Sequence, residues 1–273
     1  MAAAAVVARA AAGDRAVTVV SAERHYAELT ASTQIIAELI DGADLARPVP
    51  TCPDWTLRQL ATHVGRAHRW AAEIVSTRSA EFIPFRSVPD GRIPDDPAEH
   101  VGWLHAGADR VVDAVRAAGQ DRVWAFGRQR PAPFWARRMA HETAVHRADA
   151  QIAAGKAPVI DPDIAADGID EWLMYLSGPL EGEPDMRLAA LDEGQSLHVH
   201  ATDVPAGAGE WLIRRDQSGV QARREHGKAD AAVRGGASDL LLVLMNRLPA
   251  GDHAVQVLGD PAVLSRWLAE TRF

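Results

Sequence analysis

The chain of 273 residues is long enough for one large domain or two ordinary ones, and its 47% hydrophobic content allows a sizeable core. Its net charge of −8 argues against nucleic acid or an anionic membrane as the main partner, because both favour a basic surface. The lone Cys52 excludes an internal disulfide and a cysteine-rich metal site, which fits a reducing cytoplasm.

Residues 1–20 are alanine-rich, with Arg9, Asp14 and Arg15 scattered among apolar residues. A secretory signal peptide has its positive charge before a compact apolar core, whereas Arg9 interrupts this one. We therefore expect a loosely ordered extension. No other stretch approaches the roughly eighteen uncharged apolar residues that a membrane span requires, so we expect a cytoplasmic protein.

Apolar residues that recur every three or four positions predict four long amphipathic helices in the first part of the chain. They cover Ala22–Leu45, a segment from Thr56 to about Ser76, Pro97–Ala118 and Phe134–Ala154. Helices of this length with mostly modest links predict a four-helix bundle, which commonly carries metal and cofactor sites on facing helices. The link 76–96 is rich in Pro, Gly and charge, and loops of that length are often functional.

A shorter fifth helix at 161–176 and a Gly/Pro-rich link at 178–185 precede a change from helical to alternating periodicity. The pattern predicts strands at 196–201, 209–215, 220–224 and 254–258, a helix capped by Ser238 that runs through Arg247, and a last helix at 261–270. We predict an α+β protein, with the bundle at 21–177 and a smaller domain, built on an antiparallel sheet, at 186–273.

The richest stretch for chemistry lies on the fourth predicted helix, between Arg137 and Asp149. Glu142 and His146 are four residues apart, so they lie about 40° apart on one helix face and could share an ion. His141 and His146 are five apart, roughly 140° around the axis, and cannot point at the same ligand. The pattern is therefore E-x-x-x-H and differs from the H-E-x-x-H of metalloproteases.

Catalytic zinc typically takes three protein ligands and leaves one position for water or substrate. His63, near the apolar face of the second helix, is the third ligand that we select, and Asp149 could orient a ligating imidazole. The same spacing also fits a solvated Glu–His pair and a hydrogen-bonded core histidine. His141 is interpreted as a polar-face residue or a neighbour of the ligands.

Other candidate groups carry weaker patterns. His198 and His200 share one face of a strand and, with His226, could suggest a second metal site, but no carboxylate or cysteine lies at matching spacing. Cys52 is interpreted as a small structural residue, since no paired base is evident. Three tryptophans near helix ends or loops could line a pocket, namely Trp55, Trp124 and Trp135.

Several runs resemble one known family. Residues 51–65, TCPDWTLRQLATHVG, and 134–150, FWARRMAHETAVHRADA, followed by 167–171, DGIDE, are similar to the signatures of the mycothiol-dependent maleylpyruvate isomerase family, a branch of the DinB-like bundles. Residues 197–203, LHVHATD, and 233–241, VRGGASDLL, resemble that family's sterol-carrier-like C-terminal domain. The resemblance covers nearly everything after residue 20.

This resemblance implies a DinB-like metal-binding bundle followed by a sterol-carrier-like domain. It implies a divalent metal, zinc or another such ion, on His63, Glu142 and His146, and mycothiol as a thiol cofactor. It also implies a substrate-binding arginine late in the chain, for which Arg247 is the nearest match and Arg234 the competing candidate.

The implied reaction is the cis–trans isomerisation of a doubly carboxylated, maleylpyruvate-like substrate. One alternative is a mycothiol S-transferase acting on another electrophile. A second is a non-catalytic small-molecule-binding protein with a structural metal. The expected partners are a small substrate and a low-molecular-weight thiol, with no nucleic acid or membrane, in a monomer or homodimer.

Overall fold

The computed structural model describes residues 20–177, 190–217, 219–251 and 255–272. Within them the chain forms a helical bundle followed by a sheet with its own helices, which confirms the predicted α+β class. The predicted N-terminal extension, apart from Val20, and the predicted link at 178–185 lie outside the described residues. No described helix is long and apolar enough to cross a membrane.

The bundle consists of four helices close to the predicted positions. They are α1 (Ala22–Ile40), α2 (Leu57–Ser76), α3 (His100–Ala118) and α4 (Pro133–Ala153), and a 3-10 turn at Pro97–Glu99 leads into α3. The α1 helix packs against α4 and α3, while α2 packs against α3 and α4. Local signals fix two of the N-termini: Thr56 and Gln59 form a capping box before α2, and α4 begins on Pro133.

The first helix is shorter than predicted and is followed by a tight loop. The α1 helix ends at Ile40 because Gly42 takes a φ of 65°, which leaves the helical region. The loop then closes on itself through a hydrogen bond of 2.8 Å from the Val49 N–H to the Trp55 carbonyl. This closure positions the side chains of Cys52 and Trp55 beside α4.

The connector between α3 and α4 is an antiparallel hairpin that the sequence analysis did not predict. Strand β1 (Arg122–Ala125) pairs with β2 (Arg128–Pro131). Both turn residues, Phe126 and Gly127, have positive φ angles of 48° and 76°, as a two-residue hairpin turn requires. Phenylalanine is unusual in that position, so the turn carries little local signal.

The second part of the chain is a five-stranded sheet with three helices. Its elements are α5 (Pro162–Leu176), β3 (Ser196–Ala201), β4 (Glu210–Asp216), β5 (Gly219–Arg223), β6 (Ala231–Gly235), α6 (Ala237–Leu244), β7 (Val255–Gly259) and α7 (Pro261–Glu270). The strand order is β5-β4-β3-β6-β7. The prediction of an antiparallel sheet is wrong at its centre, because β3 and β6 pair in parallel. Strand β6 was missed, since its sequence AAVRG holds one β-branched residue and no aromatic one.

The α6 helix also departs from its predicted bounds. It follows Gly236 as its N-cap, whereas the hydroxyl of Ser238 accepts the Ile160 N–H at 3.0 Å. Ser238, which was predicted to cap α6, therefore links that helix to the segment between α4 and α5. The helix ends at Leu244, before Asn246 with its φ of 58°, so Arg247 lies in the following loop.

The two parts of the chain share a hydrophobic cluster. It includes Ala144 and Ala148 of α4 together with apolar residues of α5, α6 and the sheet. At Gly168 of α5, an added Cβ would lie 3.2 Å from a methyl carbon of Leu241, so a small residue is needed for this close helix packing. As a result, the C-terminal end of α6 lies next to the bundle and brings Arg247 to α4.

Candidate metal centre

Three donor groups converge between α2 and α4, and we call them the bundle cluster: His63, Glu142 and His146. Oε1 of Glu142 lies 3.0 Å from Nε2 of His63 and 3.3 Å from Nε2 of His146. All three donor atoms lie within 4.8 Å of one another. Four donors at about 2.1 Å around a tetrahedral zinc ion are separated by about 3.4 Å, so these spacings suit a divalent ion.

Two residues of the bundle cluster have one donor atom turned toward the cluster because the other polar atom is already bonded. Arg138 binds Oε2 of Glu142, which leaves Oε1 facing both imidazoles. His146 hydrogen-bonds through Nδ1 to Oδ2 of Asp149 at 2.8 Å, which leaves Nε2 for the cluster. Two imidazole nitrogens and one carboxylate oxygen are a donor set that zinc accepts in open catalytic sites. The residues present therefore fit the implied metal.

The charges around the bundle cluster determine the protonation states of two carboxylates, Glu142 and Asp149. Burial raises the pKa of Glu142, but Arg138 and the hydrogen bonds from His146 and His63 lower it more, so the pKa lies well below its ordinary value. Burial likewise raises the pKa of Asp149, and its hydrogen bond with His146 and its pairing with Arg247 reverse the effect. Both carboxylates are thus anions at neutral pH.

Thr51, His146 and Arg247 all form hydrogen bonds with Asp149, and we call this group the hub. Asp149 is fully buried and accepts a hydrogen bond of 2.5 Å from the Thr51 hydroxyl. Arg247 reaches it from the second part of the chain, with Nε 3.1 Å from Oδ1 and Nη2 3.3 Å from Oδ2. The expected contact of Asp149 with His146 is therefore present, and it has a cationic partner on its far side.

The two arginine candidates lie in different places. Arg247 is in the hub just described, where its Nη1 also donates to the carbonyl of Met245 at 2.7 Å. Arg234 is exposed on β6, and no contact within the described part of the chain joins it to the bundle cluster. Geometry thus favours Arg247 over Arg234, although its guanidinium is engaged with Asp149.

The loop before α2 contributes two side chains to the site. The Trp55 ring stacks on that of His146 at 5.8 Å and lies 4.9 Å from that of His63. The Cys52 sulfur lies 3.3 Å from Oδ2 of Asp149, so the cysteine is at the edge of the site, although the sequence indicated only a structural role. Trp124 and Trp135 instead pack with Trp70, away from the bundle cluster.

His141 does not lie on a polar face. Only 3% of it is exposed, and its two ring nitrogens lie 2.9 Å from Glu171 and 3.0 Å from Asp167. Glu171 in turn pairs with Arg138, which binds Glu142. Of the two interpretations of His141, the polar face is wrong because α5 covers that side of α4, whereas a neighbour of the proposed ligands agrees with its place in a buried ionic network behind the bundle cluster.

The long loop at 77–96 carries a cationic pocket beside the bundle cluster. Phe85 links the two: its ring lies 5.7 Å from that of His63 and 5.6 Å from the guanidinium carbon of Arg66. The pocket, of about 580 Å³, is lined by Arg66, Arg86, Val88, Asp90, Gly91 and Arg92. Burial, and then repulsion from the other two arginines, lowers the pKa of Arg66, which indicates an excess of positive charge.

The sequence analysis found the loop but not this pocket. Asp90 is the carboxylate in its lining, and it pairs with Arg110 at 3.2 Å. The three arginines are distributed over a helix and an irregular loop, so no spacing rule could bring them together. The only sequence signal was the unusual length of the loop.

Comparisons with known proteins match both parts of the chain. Residues 26–151 match the family model of the mycothiol maleylpyruvate isomerase N-terminal domain, and residues 163–266 match that of the C-terminal domain of the same family. None of the curated proteins matches this chain.

Solved structures show the same fold. The crystal structure of a mycothiol-dependent maleylpyruvate isomerase covers 87% of this chain and 92% of its own, with a TM-score of 0.54 and 16% identity. A histidine-to-alanine mutant of such an isomerase has the same coverage, with a TM-score of 0.55 and 15% identity. The UbiJ-SCP2 ubiquinone synthesis protein aligns with 40% of this chain and 93% of its own, with 22% identity and a TM-score of 0.28, too low to support an argument.

Proposed function

This chain belongs to the mycothiol maleylpyruvate isomerase family, and we propose that it is a zinc-dependent enzyme that uses mycothiol to isomerise a doubly carboxylated, maleylpyruvate-like substrate. The observation that carries the proposal is the convergence of His63, Glu142 and His146 on one point, with the second polar atom of Glu142 held by Arg138 and that of His146 held by Asp149. We further propose that the enzyme works in the cytoplasm, where a thiol cofactor stays reduced.

The proposed metal ligands are His63, Glu142 and His146. A divalent ion there, with a thiol cofactor, would supply a nucleophilic thiolate near neutral pH, whose reversible addition lets a cis double bond rotate. The protein's own part is to orient the ligands. Asp149 fixes the ring and tautomer of His146, and Arg138 keeps Glu142 anionic and directs its Oε1 inward.

Cationic side chains beside the bundle cluster favour a substrate that carries negative charge. Arg66, Arg86 and Arg92 line the loop pocket, and Phe85 bridges it to His63. Because guanidinium groups bind carboxylates with two parallel hydrogen bonds, this pocket suits one carboxylate of such a substrate. The Trp55 ring packs against both imidazoles and so covers part of the bundle cluster.

We assign Arg247 first to positioning. Its contacts with both oxygens of Asp149 keep that carboxylate against His146. Of the five N–H donors of its guanidinium, these two bonds, the one to the Met245 carbonyl and a long contact of Nη2 with the Cys52 sulfur at 3.9 Å leave one on Nη1 for a substrate oxygen. Arg247 thus positions His146 through Asp149 and offers a donor to the substrate from the same place.

The test joins a metal measurement to a reaction. Purified protein is incubated with mycothiol and maleylpyruvate, and formation of the trans isomer, fumarylpyruvate, is followed. We expect conversion by the wild type, and loss of both the bundle-cluster metal and the activity in His63→Ala, Glu142→Ala and His146→Ala. The His105→Ala variant, a histidine on α3 outside the cluster, should keep both.

Three outcomes would change the proposal. If the three variants retain all the metal of the wild type, the ligand assignment is wrong. If the wild type binds metal and mycothiol but accumulates a thioether adduct without isomerised product, the chain is an S-transferase. A protein that binds apolar ligands equally well with and without metal, and performs no thiol chemistry, would be a binding protein.

A further inference from the structure

A second group of donor residues lies on the sheet, and we call it the sheet cluster: His198 of β3, Glu210 of β4 and His226 after β5. Nε2 of His198 lies 3.3 Å from Oε2 of Glu210, and Nδ1 of His226 contacts the same oxygen. The three donor atoms lie within 4.8 Å of one another. Glu210 is the carboxylate that sequence spacing did not offer, because antiparallel pairing brings it from β4 to the side of the histidines.

His198 is the residue that calls for a ligand. It is only 6% exposed, and its buried Nε2 lies 3.3 Å from Oε2 of Glu210 without forming a well-aligned hydrogen bond to any described residue. A buried imidazole nitrogen without such a bond is costly, and most such atoms in proteins are paired. The hydrogen bond between Glu210 and His226 accounts for those two side chains but leaves Nε2 of His198 with only the long contact to Glu210.

The surroundings of Glu210 also favour a cation. Among the described residues, no arginine or lysine forms an ion pair with it, so its negative charge is met only by imidazoles. Another buried group that contains histidines, His25, His141 and Asp167, differs in this respect. There Arg137 donates to both oxygens of Asp167, so that carboxylate already has a cationic partner.

We propose that the sheet cluster is a second divalent-cation site, with His198, Glu210 and His226 as ligands for zinc or a similar borderline ion. Two imidazoles and one carboxylate form the same donor set as the bundle cluster, and zinc leaves the fourth position to water. The bundle cluster lies in a different part of the chain and shares no residue with this one.

The consequence of this site is structural. The ligands come from β3, from β4 and from the segment that follows β5, so an ion would tie that segment to the sheet. The segment already lies close to the sheet at Gly227, where an added Cβ would be 2.7 Å from a methyl carbon of Leu212. Since His226 is highly exposed, metal would hold in place a side chain that otherwise has only its contact with Glu210 and the nearby ring of His198.

The experiment counts ions bound to the full-length protein. The protein is stripped with a chelator, loaded with Zn²⁺, dialysed and analysed for zinc per chain. We expect about two ions in the wild type and about one in His226→Ala or His198→Ala. His63→Ala should also keep about one, and the double variant His63→Ala/His226→Ala should keep essentially none.

Cobalt provides a second measurement that does not depend on activity. With Co²⁺ in place of zinc, we expect the visible absorption of the wild type to lose one component in His226→Ala and a different one in His63→Ala. Because His226 is exposed, its replacement leaves the fold intact, which circular dichroism verifies. His105→Ala is the matched control and should keep both ions.

The outcomes separate this proposal from the proposed function. A wild type with one ion, lost in His63→Ala and kept in His226→Ala, overturns the second site and leaves the bundle cluster as it was. One ion that is kept in His63→Ala and lost in His226→Ala supports the second site and overturns the bundle cluster.

Discussion

Replacing Asp149 by asparagine tests the arrangement behind the metal ligands. The substitution keeps the size of the side chain but removes its charge and turns one acceptor into a donor. That donor then faces either Nδ1 of His146 or the guanidinium of Arg247, both of which need an acceptor. We expect two separate effects, one on metal affinity and one on stability.

The effect on metal affinity follows from the orientation of His146. Loss of a group that positions a metal ligand typically weakens binding by about 10–100-fold, or about 1.4–2.7 kcal/mol. Titration of the stripped protein against a chromophoric zinc chelator measures this change. In Asp149→Asn we expect weaker binding at the bundle cluster and unchanged binding in Asp95→Asn, which alters an exposed ion pair with Arg58.

The effect on stability follows from burial of the ion pair. Asp149 is fully buried and the side chain of Arg247 is 9% exposed, so the substitution leaves a buried cation without its partner. Such a loss costs about 3–5 kcal/mol of unfolding free energy. Urea denaturation of the metal-free protein should show that decrease, against a change of less than about 1 kcal/mol in the Asp95→Asn control.

A double-mutant cycle isolates the pair. Combining Asp149→Asn with Arg247→Gln removes both charges, so the double variant should be destabilised by less than the sum of the single variants. Additive effects in the cycle would show that the two residues act independently. Wild-type zinc affinity in Asp149→Asn would refute the argument that this carboxylate orients His146.

Three further predictions concern other parts of the site. Cys52→Ser should keep the bundle-cluster metal and mycothiol-dependent turnover, which steady-state assays with and without the thiol measure. Loss of turnover with the metal retained would instead show that Cys52 takes part in the reaction. Arg86→Ala combined with Arg92→Ala should raise KM for a doubly carboxylated substrate about tenfold and leave the zinc content unchanged, whereas an unchanged KM would remove the pocket from substrate binding. Burial raises the pKa of Glu171, but Arg138 and its other partners outweigh burial and lower the pKa from 4.5 to about 2. The contribution of the charged Glu171 to stability is therefore complete above about pH 4.5 and is lost as the pH falls toward 2. Acid unfolding of Glu171→Gln should for this reason be less steep in that window than acid unfolding of the wild type.

Local signals in the sequence predicted the bundle well. A capping box precedes α2, and a proline begins α4. Outside the bundle, a proline also begins α7. Such signals act within one helical turn, and each of these helices begins within a residue or two of its signal. The end of α1 was predicted too late because apolar residues continue beyond Gly42 in the same period, although its positive φ ends the helix. The spacing of apolar residues alone does not show where a helix ends.

The contacts of the site depend on packing between distant elements, and for that reason the sequence indicated only part of it. Spacing along α4 paired Glu142 with His146, but nothing local to α2 requires His63 to face them. Glu210 joined the histidines of the sheet only through strand pairing. His141 was left between a polar face and a neighbour of the ligands because a helix wheel cannot show that α5 covers that side.

The position of Arg247 connects the bundle cluster to the second part of the chain. Its guanidinium comes from the loop after α6, yet its main partner is Asp149 of α4, so Asp149 gains its cationic partner only when the sheet and its helices pack against the bundle. The three proposed ligands and Asp149 all belong to the bundle, whereas the charge that balances Asp149 comes from the second part of the chain. The loop pocket at Arg66, Arg86 and Arg92 lies wholly within the bundle part. Without the second part of the chain, the bundle would therefore retain the residues of the loop pocket and the three donors, but the buried Asp149 would lack the cation that helps hold it against His146.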